Sequence, residues 1–225
     1  MKMEQVSERK TQALASVVRA HCPAPRSILV VGCGDGLEAG ILARSFGATT
    51  VGIDLGQQFE FARAAAAPAE LVEMDARHLR FEDASFDLVY SFHALEHIVD
   101  PGRALVEMAR VLRHGGTFCI GTPNKRRLIG YLGSPAPLAN KISWNLSDLR
   151  MRLAGRWDNS LGAHAGFSAL ELQAMCRAAF GNAVDISDRY YRHLYAQHPM
   201  ALSLVLGTPL KWLILPCCYM TGFKA

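Results

Sequence analysis

The chain of 225 residues has six cysteines, and no two of them stand in CxxC spacing. Cys22, Cys33, Cys119, Cys176, Cys217 and Cys218 are poor material for a zinc cluster or a disulfide framework, so free thiols in a reducing cytoplasm are expected. Residues 1–12 are charged and lack the apolar core of a signal peptide. No stretch interleaves basic and aromatic residues over an extended surface, which argues against nucleic acid as a partner. Charge of one sign is in small excess only, a net +4, compatible with an anionic substrate or a membrane surface without requiring either. Long apolar runs are scarce too. The stretch 200–220 has Lys211 as its single charge, but Gly207, Pro209 and Pro216 break it. It reads as a buried or surface-lying helix followed by a last strand, with peripheral membrane contact through 200–220 as the alternative.

What is present is ordinary globular material. Half of the residues are hydrophobic and a fifth charged, and the length suits a single domain over 1–225. Apolar periodicity predicts an opening helix over 4–20. The continuous run Ile28-Leu29-Val30-Val31 is typical of a strand buried on both faces. A glycine-rich turn follows, then a helix over 37–46. The alternation repeats: strand 49–53 ending at Asp54, helix 57–67, strand 71–74 ending at Asp75, strand 86–91, helix 101–112 and strand 117–121. Strands alternating with helices at this pitch predict an α/β fold, a parallel sheet covered on both faces.

The rhythm breaks over 123–167, where glycines, prolines, Lys125-Arg126-Arg127 and two tryptophans occur without a clear period. Long irregular segments in compact domains are commonly functional, so this one is read as a substrate-covering insertion. Its Tyr131, Trp144, Trp157 and His164 either line an acceptor or pin the segment to the sheet, and the basic run is expected to be a solvated face. A helix over 169–180 resumes the pattern, with Ser168 and Glu171 spaced as a capping box. A sixth strand over 183–189 and a seventh over 219–223 complete it, with Tyr190, Tyr191 and Tyr195 packing on the final strands.

Three local signals carry chemistry. In Val30-Val31-Gly32-Cys33-Gly34-Asp35-Gly36 the glycines let the backbone bend and approach a ligand closely. A nicotinamide fingerprint would want glycine at Leu37, and a P-loop would need Gly-Lys-Ser/Thr; neither is met. Asp54 ends the second strand 22 residues after Gly32, where an acidic side chain can accept from both hydroxyls of a ribose. Asp75 ends the third strand, placed to accept from the amino group of a base, with the Ala76 amide beside it. Each carboxylate also has a bland reading as a helix or loop cap.

Taken in order with Ser85-Phe86-Asp87-Leu88-Val89-Tyr90-Ser91, His93-Ala94-Leu95-Glu96-His97-Ile98-Val99-Asp100-Pro101 and Leu112-Arg113-His114-Gly115-Gly116, these motifs resemble class I S-adenosylmethionine (SAM)-dependent methyltransferases. The likeness is to the broad group that includes the ubiquinone and menaquinone methyltransferases, close over 27–124 and loose elsewhere. It implies a Rossmann-like seven-stranded sheet whose last strand is antiparallel, and SAM as cofactor. Gly32, Cys33, Gly34 and Gly36 would lie at its methionine part, Asp54 and Leu55 at its ribose, Asp75 and Ala76 at its adenine, and Ser91 and Phe92 near its sulfonium. One departure is Val30, where such families often carry an acid; Asp35 is the residue at hand to compensate. His93 and His97 are the candidate catalytic bases, needed where the acceptor must lose a proton. No metal is expected, although Glu96 and His97 match part of a metal-binding pattern of some quinone O-methyltransferases, with His93 in place of the other acid. The expected reaction is methyl transfer to oxygen or carbon of a small, lipid-linked acceptor. The alternatives are a soluble sugar or secondary-metabolite acceptor, and a non-catalytic SAM-binding protein.

Overall fold

Strands with side chains buried on both faces organise the molecule. The computed structural model describes residues 2–55, 68–131, 134, 136–161 and 163–225; the helix expected over 57–67 lies outside them. In β1 (Ser27–Val31), Ile28 and Val30 point into one apolar cluster while Leu29 and Val31 point into another. That is the period-2 alternation of a central strand. It pairs in parallel with β2 (Thr49–Asp54) on one side and β4 (Phe86–Phe92) on the other. Outward lie β3 (Glu70–Glu73) beside β2, and β5 (Leu112–Pro123) beside β4. The order is β3-β2-β1-β4-β5-β7-β6, with β7 (Cys217–Phe223) antiparallel to both of its neighbours. This is the Rossmann-like seven-stranded sheet with an antiparallel last strand.

Helices cover both faces. Against Leu29, Val31, Val89 and Phe118 pack α3 (Pro101–Val111) and α5 (Ala169–Phe180) through Leu105, Met108, Leu172 and Phe180. Against Ile28, Val30 and Leu88 pack α1 (Lys2–Arg19) and α2 (Leu37–Phe46) through Leu14, Val18 and Leu42. Helix starts follow local chemistry. Asp100 accepts from Arg103 N at 3.0 Å with Pro101 at the first position of α3, and Ser168 and Glu171 form the capping box of α5.

Two parts differ from the sequence expectation. The sixth strand is only β6 (Val184–Asp185), because Asp185 Oδ1 accepts from Ser187 N at 2.7 Å and turns the chain into α6 (Ser187–Leu194). Tyr190, Tyr191 and Leu194, at helical spacing, are buried there near Tyr219 of β7. The apolar stretch near the end forms α7 (Pro199–Leu206) and α8 (Lys211–Ile214) before β7. Among the described residues no helix is long and apolar enough to cross a membrane.

The second difference is in 123–167, which carries α4 (Leu138–Leu153), a 16-residue helix. Its polar residues face the body of the protein. Asn145 accepts from Gly130 N at 2.7 Å, Asp148 takes the Tyr131 hydroxyl at 3.2 Å, and the Arg152 guanidinium donates to Arg127 O at 2.6 Å and lies over the Trp157 ring. Leu138, Ile142, Leu146, Leu149 and Leu153, spaced by three and four, are exposed, from 49% at Leu146 to 81% at Leu153. The helix is thus inverted, polar inside and apolar outside. The expectation of no clear period over 123–167 is corrected here: these apolar residues carry a helical period, set among breakers such as Gly130, Pro137 and Gly155. Arg127 corrects the solvated reading of the basic run: it is buried, donates to Asn124 O and Ala165 O, and lies over Trp157.

The insertion leaves and rejoins the sheet at one point. Asn124 and Phe167 form a parallel bridge, Phe167 N donates to Pro123 O at 3.0 Å and Lys125 N to Phe167 O at 3.1 Å. Gly166 has φ +76, and a Cβ there would lie 1.8 Å from Pro123 O, so only glycine fits. The Asn124 side-chain amide donates to Trp212 O and Leu215 O, tying this neck to α8.

Candidate active site

Parallel strands place their C-terminal ends along one edge, where ligands of open α/β sheets sit. A pocket of about 510 Å³ lies there, lined by Gly32 and Gly34 after β1, Asp54 and Leu55 at β2, and Asp75 and Ala76 after β3. This volume falls within the range of about 300–1,000 Å³ usual for small-molecule sites. Gly32, Gly34 and Gly36 have φ of 75, 53 and 78°, so the turn is left-handed at three alternate positions. A Cβ at Gly34 would meet nothing within 4 Å, which leaves an open cradle, whereas one at Gly32 would lie 2.2 Å from Ala94 Cβ. Gly34 N donates to Asp54 Oδ2 at 2.8 Å and Leu55 N to Asp54 Oδ1 at 2.8 Å. The glycine turn and the strand-end carboxylate are therefore one unit, and each carboxylate oxygen keeps a further lone pair.

Asp75 is held by Arg77, which donates from its backbone N at 2.8 Å and from Nη2 at 2.7 Å. These bonds lower the Asp75 carboxyl to about 2, so it is an acceptor across the physiological range. Four residues named from the sequence stand away from this pocket's lining. Cys33 is buried with its sulfur against Gly52, and Gly36 caps α2 while its N bonds Cys33 O. The Ser91 hydroxyl turns into the sheet to Val31 O at 3.1 Å. Phe92 lines the neighbouring pocket instead. Asp35, the residue at hand for the Val30 departure, accepts from Leu37 N at 3.1 Å, across the Gly36 N-cap of α2.

A second pocket of about 550 Å³ adjoins the first, and His93 and His97 line both. Its walls are Phe92 and Tyr219 from the sheet, Tyr190, Tyr191 and Tyr195 from the α6 region, Tyr131, Asp148 and His164 from the insertion, and Lys10 from α1. Of the insertion aromatics, Tyr131 and His164 reach the pocket, while Trp144 packs on Tyr131 and Trp157 lies between Arg127 and Arg152.

After β4 the chain makes a 3-10 turn, Leu95–His97, that brings the three polar side chains together. Glu96 points inward with its side chain 1% exposed, His93 Nδ1 lies 3.2 Å from Glu96 Oε1, and His97 Nε2 lies 4.0 Å from the same oxygen. The His97 ring meets the His164 ring nearly edge-on at 4.6 Å, joining this turn to the insertion. On the far side of His93, Nε2 lies 3.6 Å from Cys217 Sγ. Desolvation works against a charged His93, but the contacts with Cys217 and Glu96 outweigh it and raise its pKa to about 10. Cys217, Arg77 and Lys10 were not singled out by sequence. Cys217 is 124 positions from His93, and only the antiparallel last strand brings the two together. Among the described residues, no three His, Cys, Asp or Glu side chains gather as a metal set.

Comparison with known proteins agrees with this arrangement. Residues 29–120 match the methyltransferase domain model of the type 11 family. A protein named "Probable S-adenosylmethionine-dependent methyltransferase" from Mycolicibacterium smegmatis is 31% identical over 163 residues, 69% of this chain and 62% of its own length. The O-methyltransferase cnsE of Penicillium expansum is 33% identical over 192 residues, 82% of this chain and 62% of its own. The chain thus spans under two thirds of the length of these relatives. Among solved structures, the [4+2]-cyclase SpnF superposes with a TM-score of 0.57 at 22% identity, covering 94% of this chain and 80% of that one, a likeness of fold alone. With the motif order, the sheet order and these matches in agreement, residues 29–120 are a methyltransferase domain of the type 11 family on the class I fold.

Proposed function

We propose that the chain methylates oxygen or carbon of a small, lipid-linked acceptor, with SAM in the first pocket and the acceptor in the second. The observation that carries this reading is the junction: two pockets of similar volume share His93 and His97 as a common wall. SAM supplies a methyl group already activated by a positive sulfur. The Gly32–Gly34 backbone gives its methionine part close approach, Asp54 accepts from its ribose, and Asp75 with the Ala76 amide meets its adenine. The protein's own contribution is to fix the acceptor atom at the junction and keep water out. Residues 123–167, anchored through His164 and Tyr131, form the cover of the acceptor pocket.

The lipid preference rests on surface chemistry. Leu128 and Ile129 of the same segment are exposed as well, and Leu128 N bonds Leu213 O of α8. Met200, Leu204 and Leu210 are exposed nearby in the sequence. An apolar helical face with exposed Arg126, Arg150 and Arg156 in the same segment suits the surface of an anionic bilayer. We place the protein in the reducing cytoplasm, in peripheral contact with the membrane through α4 and 200–220. The name of the Penicillium relative favours a second reading, a soluble secondary-metabolite acceptor for O-methylation.

Three measurements test these points. Calorimetry should show SAM and S-adenosylhomocysteine binding, and extracts with and without the gene should differ by a metabolite heavier by one CH₂. Flotation with phosphatidylserine vesicles should carry the protein upward; its absence, with turnover in detergent-free buffer, replaces the lipid reading by the soluble one.

A further inference from the structure

Transfer of an activated methyl group does not itself require a nucleophilic side chain, yet the second pocket contains one. Cys217, the first residue of β7, lines it, with Sγ 3.6 Å from His93 Nε2. The opposite ring nitrogen faces Glu96 Oε1, and Glu96 Oε2 is buried without a partner among the described residues. A buried carboxylate with an unmet acceptor needs a positive neighbour, and His93 supplies one when protonated. Once Nδ1 donates to Glu96, the remaining N–H of that imidazolium points at the sulfur. The atom presented to the pocket is therefore Cys217 Sγ rather than a free His93 nitrogen. The His93 backbone has φ +55, unusual for a side-chain-bearing residue, with its N–H on Gly121 O at 3.0 Å. Such conformations persist where the surroundings impose them, often at reactive sites.

The other cysteines form an internal contrast. Burial pushes Cys33 and Cys176 up to about 12 and Cys119 and Cys218 higher, and it raises Cys22 as well. Cys217 moves the opposite way. Desolvation opposes its ionisation, but the His93 charge and hydrogen bond overcome it, with Lys10 and Arg127 adding positive charge. The remaining groups around the pair do not reverse this. Burial raises Tyr190, Tyr191, Tyr195 and Tyr219 and keeps them neutral. Glu38, on α2, adds a carboxyl near His93 that favours its charged form.

We propose that Glu96, His93 and Cys217 form a carboxylate–imidazolium–thiolate relay that makes Cys217 a nucleophile toward the acceptor. The acceptor class it fits carries a carbon–carbon double bond conjugated to a carbonyl. This rests on the reading of the second pocket as the acceptor site. A thiolate is the reactive form of cysteine and a soft nucleophile. Its electron pair forms a C–S bond at the β-carbon, the π pair moves toward the carbonyl oxygen, and that oxygen takes the Nε2 proton of His93. The resulting enol is electron-rich at its α-carbon, the kind of atom that accepts an activated methyl group. On methyl transfer the enol proton leaves to solvent. His93, neutral since it gave up its Nε2 proton, then takes the remaining α-hydrogen as the C–S bond breaks, which restores the double bond, the imidazolium and the thiolate with one proton released overall.

The test uses the full chain without SAM and two probes, iodoacetamide, which needs only a thiolate, and 2-cyclohexenone, a plain conjugated enone. Intact mass with peptide mapping at neutral pH should find one adduct from each probe, at Cys217, formed at least tenfold faster than at Cys22. His93→Gln should slow iodoacetamide at least tenfold and move the pH midpoint of alkylation upward, toward the ordinary thiol value of about 8.5; Glu96→Gln should give a smaller loss in the same direction. Circular dichroism establishes that each variant folds. A Cys217 no faster than Cys22, or a folded His93→Gln with unchanged rate, overturns the relay. Should His93→Gln fail to fold, the wild-type pH profile decides, and a midpoint at or above that of Cys22 overturns it. Reaction with iodoacetamide but not with cyclohexenone overturns the acceptor class. Absence of SAM binding to the wild-type chain would instead remove the methyltransferase reading, and the alkylation result would stand apart from it.

Discussion

The two pockets that meet at His93 are built by opposite means. The first, read as the donor pocket, comes from the tips of adjacent strands met in chain order, β1, β2 and β3, and from contacts such as Gly34 N to Asp54 Oδ2. The second, read as the acceptor pocket, draws on α1, the segment 123–167, α6 and β7, which meet only once the sheet has closed. On the proposed reading, a frame of backbone turns and strand-end carboxylates holds the shared cofactor, while distant side chains choose the acceptor.

That contrast predicts separable losses. The largest effect should follow Asp54→Ala, which removes both the hydrogen bond to the glycine turn and the proposed acceptor for the ribose. Bonds to a charged group contribute about 1.5–3 kcal/mol each, so SAM affinity should fall on the order of a hundredfold by calorimetry; an unchanged affinity breaks the assignment of the donor side. Next, Gly32→Ala places a Cβ against Ala94 at a left-handed position and should cost about 2–4 kcal/mol of stability, read by denaturant unfolding. Trp157→Ala, on the acceptor side, removes the ring between Arg127 and Arg152. It should lower kcat/KM for the acceptor about tenfold through a loosened insertion while SAM affinity stays within twofold; equal losses on both sides would dissolve the distinction.

Smaller still is the effect of Glu38, whose Oε1 accepts from the Thr11 hydroxyl. Desolvation raises its carboxyl from 4.5 to about 7, with His93 and Thr11 opposing. The folded state holds that proton more tightly than the unfolded one, so its contribution is full below 4.5 and is lost as pH rises through about 7. Glu38→Gln should therefore stabilise the protein at pH 8, on the order of 1 kcal/mol after solvent screening, and the gain should shrink toward pH 5. Least costly to the fold, Leu146→Glu with Leu149→Glu alters exposed positions and should leave stability within about 0.5 kcal/mol while abolishing vesicle flotation.

The same contrast explains what the sequence displayed. Strands β1, β2 and β4, helix α2 and the capping box of α5 stood at or within a residue or two of their expected places, because period and capping are local. That Gly32, Gly34, Asp54 and Asp75 gather at one pocket was equally legible, since their positions follow from strand ends. Ser91 and Phe92 were named by resemblance, yet Ser91 turns into the sheet and Phe92 into the other pocket, since register decides which way a side chain points. The strand expected over 183–189 became a helix after two residues, because Asp185 turns the chain and the tyrosines bury at helical rather than alternate spacing. Helix α4 was missed for a different reason: its apolar period is short and sits between Pro137 and Gly155 in a stretch that otherwise reads as irregular. Cys217 gave no local sign at all, since its meaning comes from His93 across the closed sheet.

The neck at Asn124 and Phe167 has a consequence for how such a protein diversifies. Because the excursion over 125–166 starts and ends at adjacent points, its length can change without shifting a single strand. Replacing it amounts to changing the tool in a chuck: the grip stays closed while the working end takes a new shape. On the proposed reading, grafting at this one seam retargets the protein to a different molecule and leaves the half read as holding SAM unchanged.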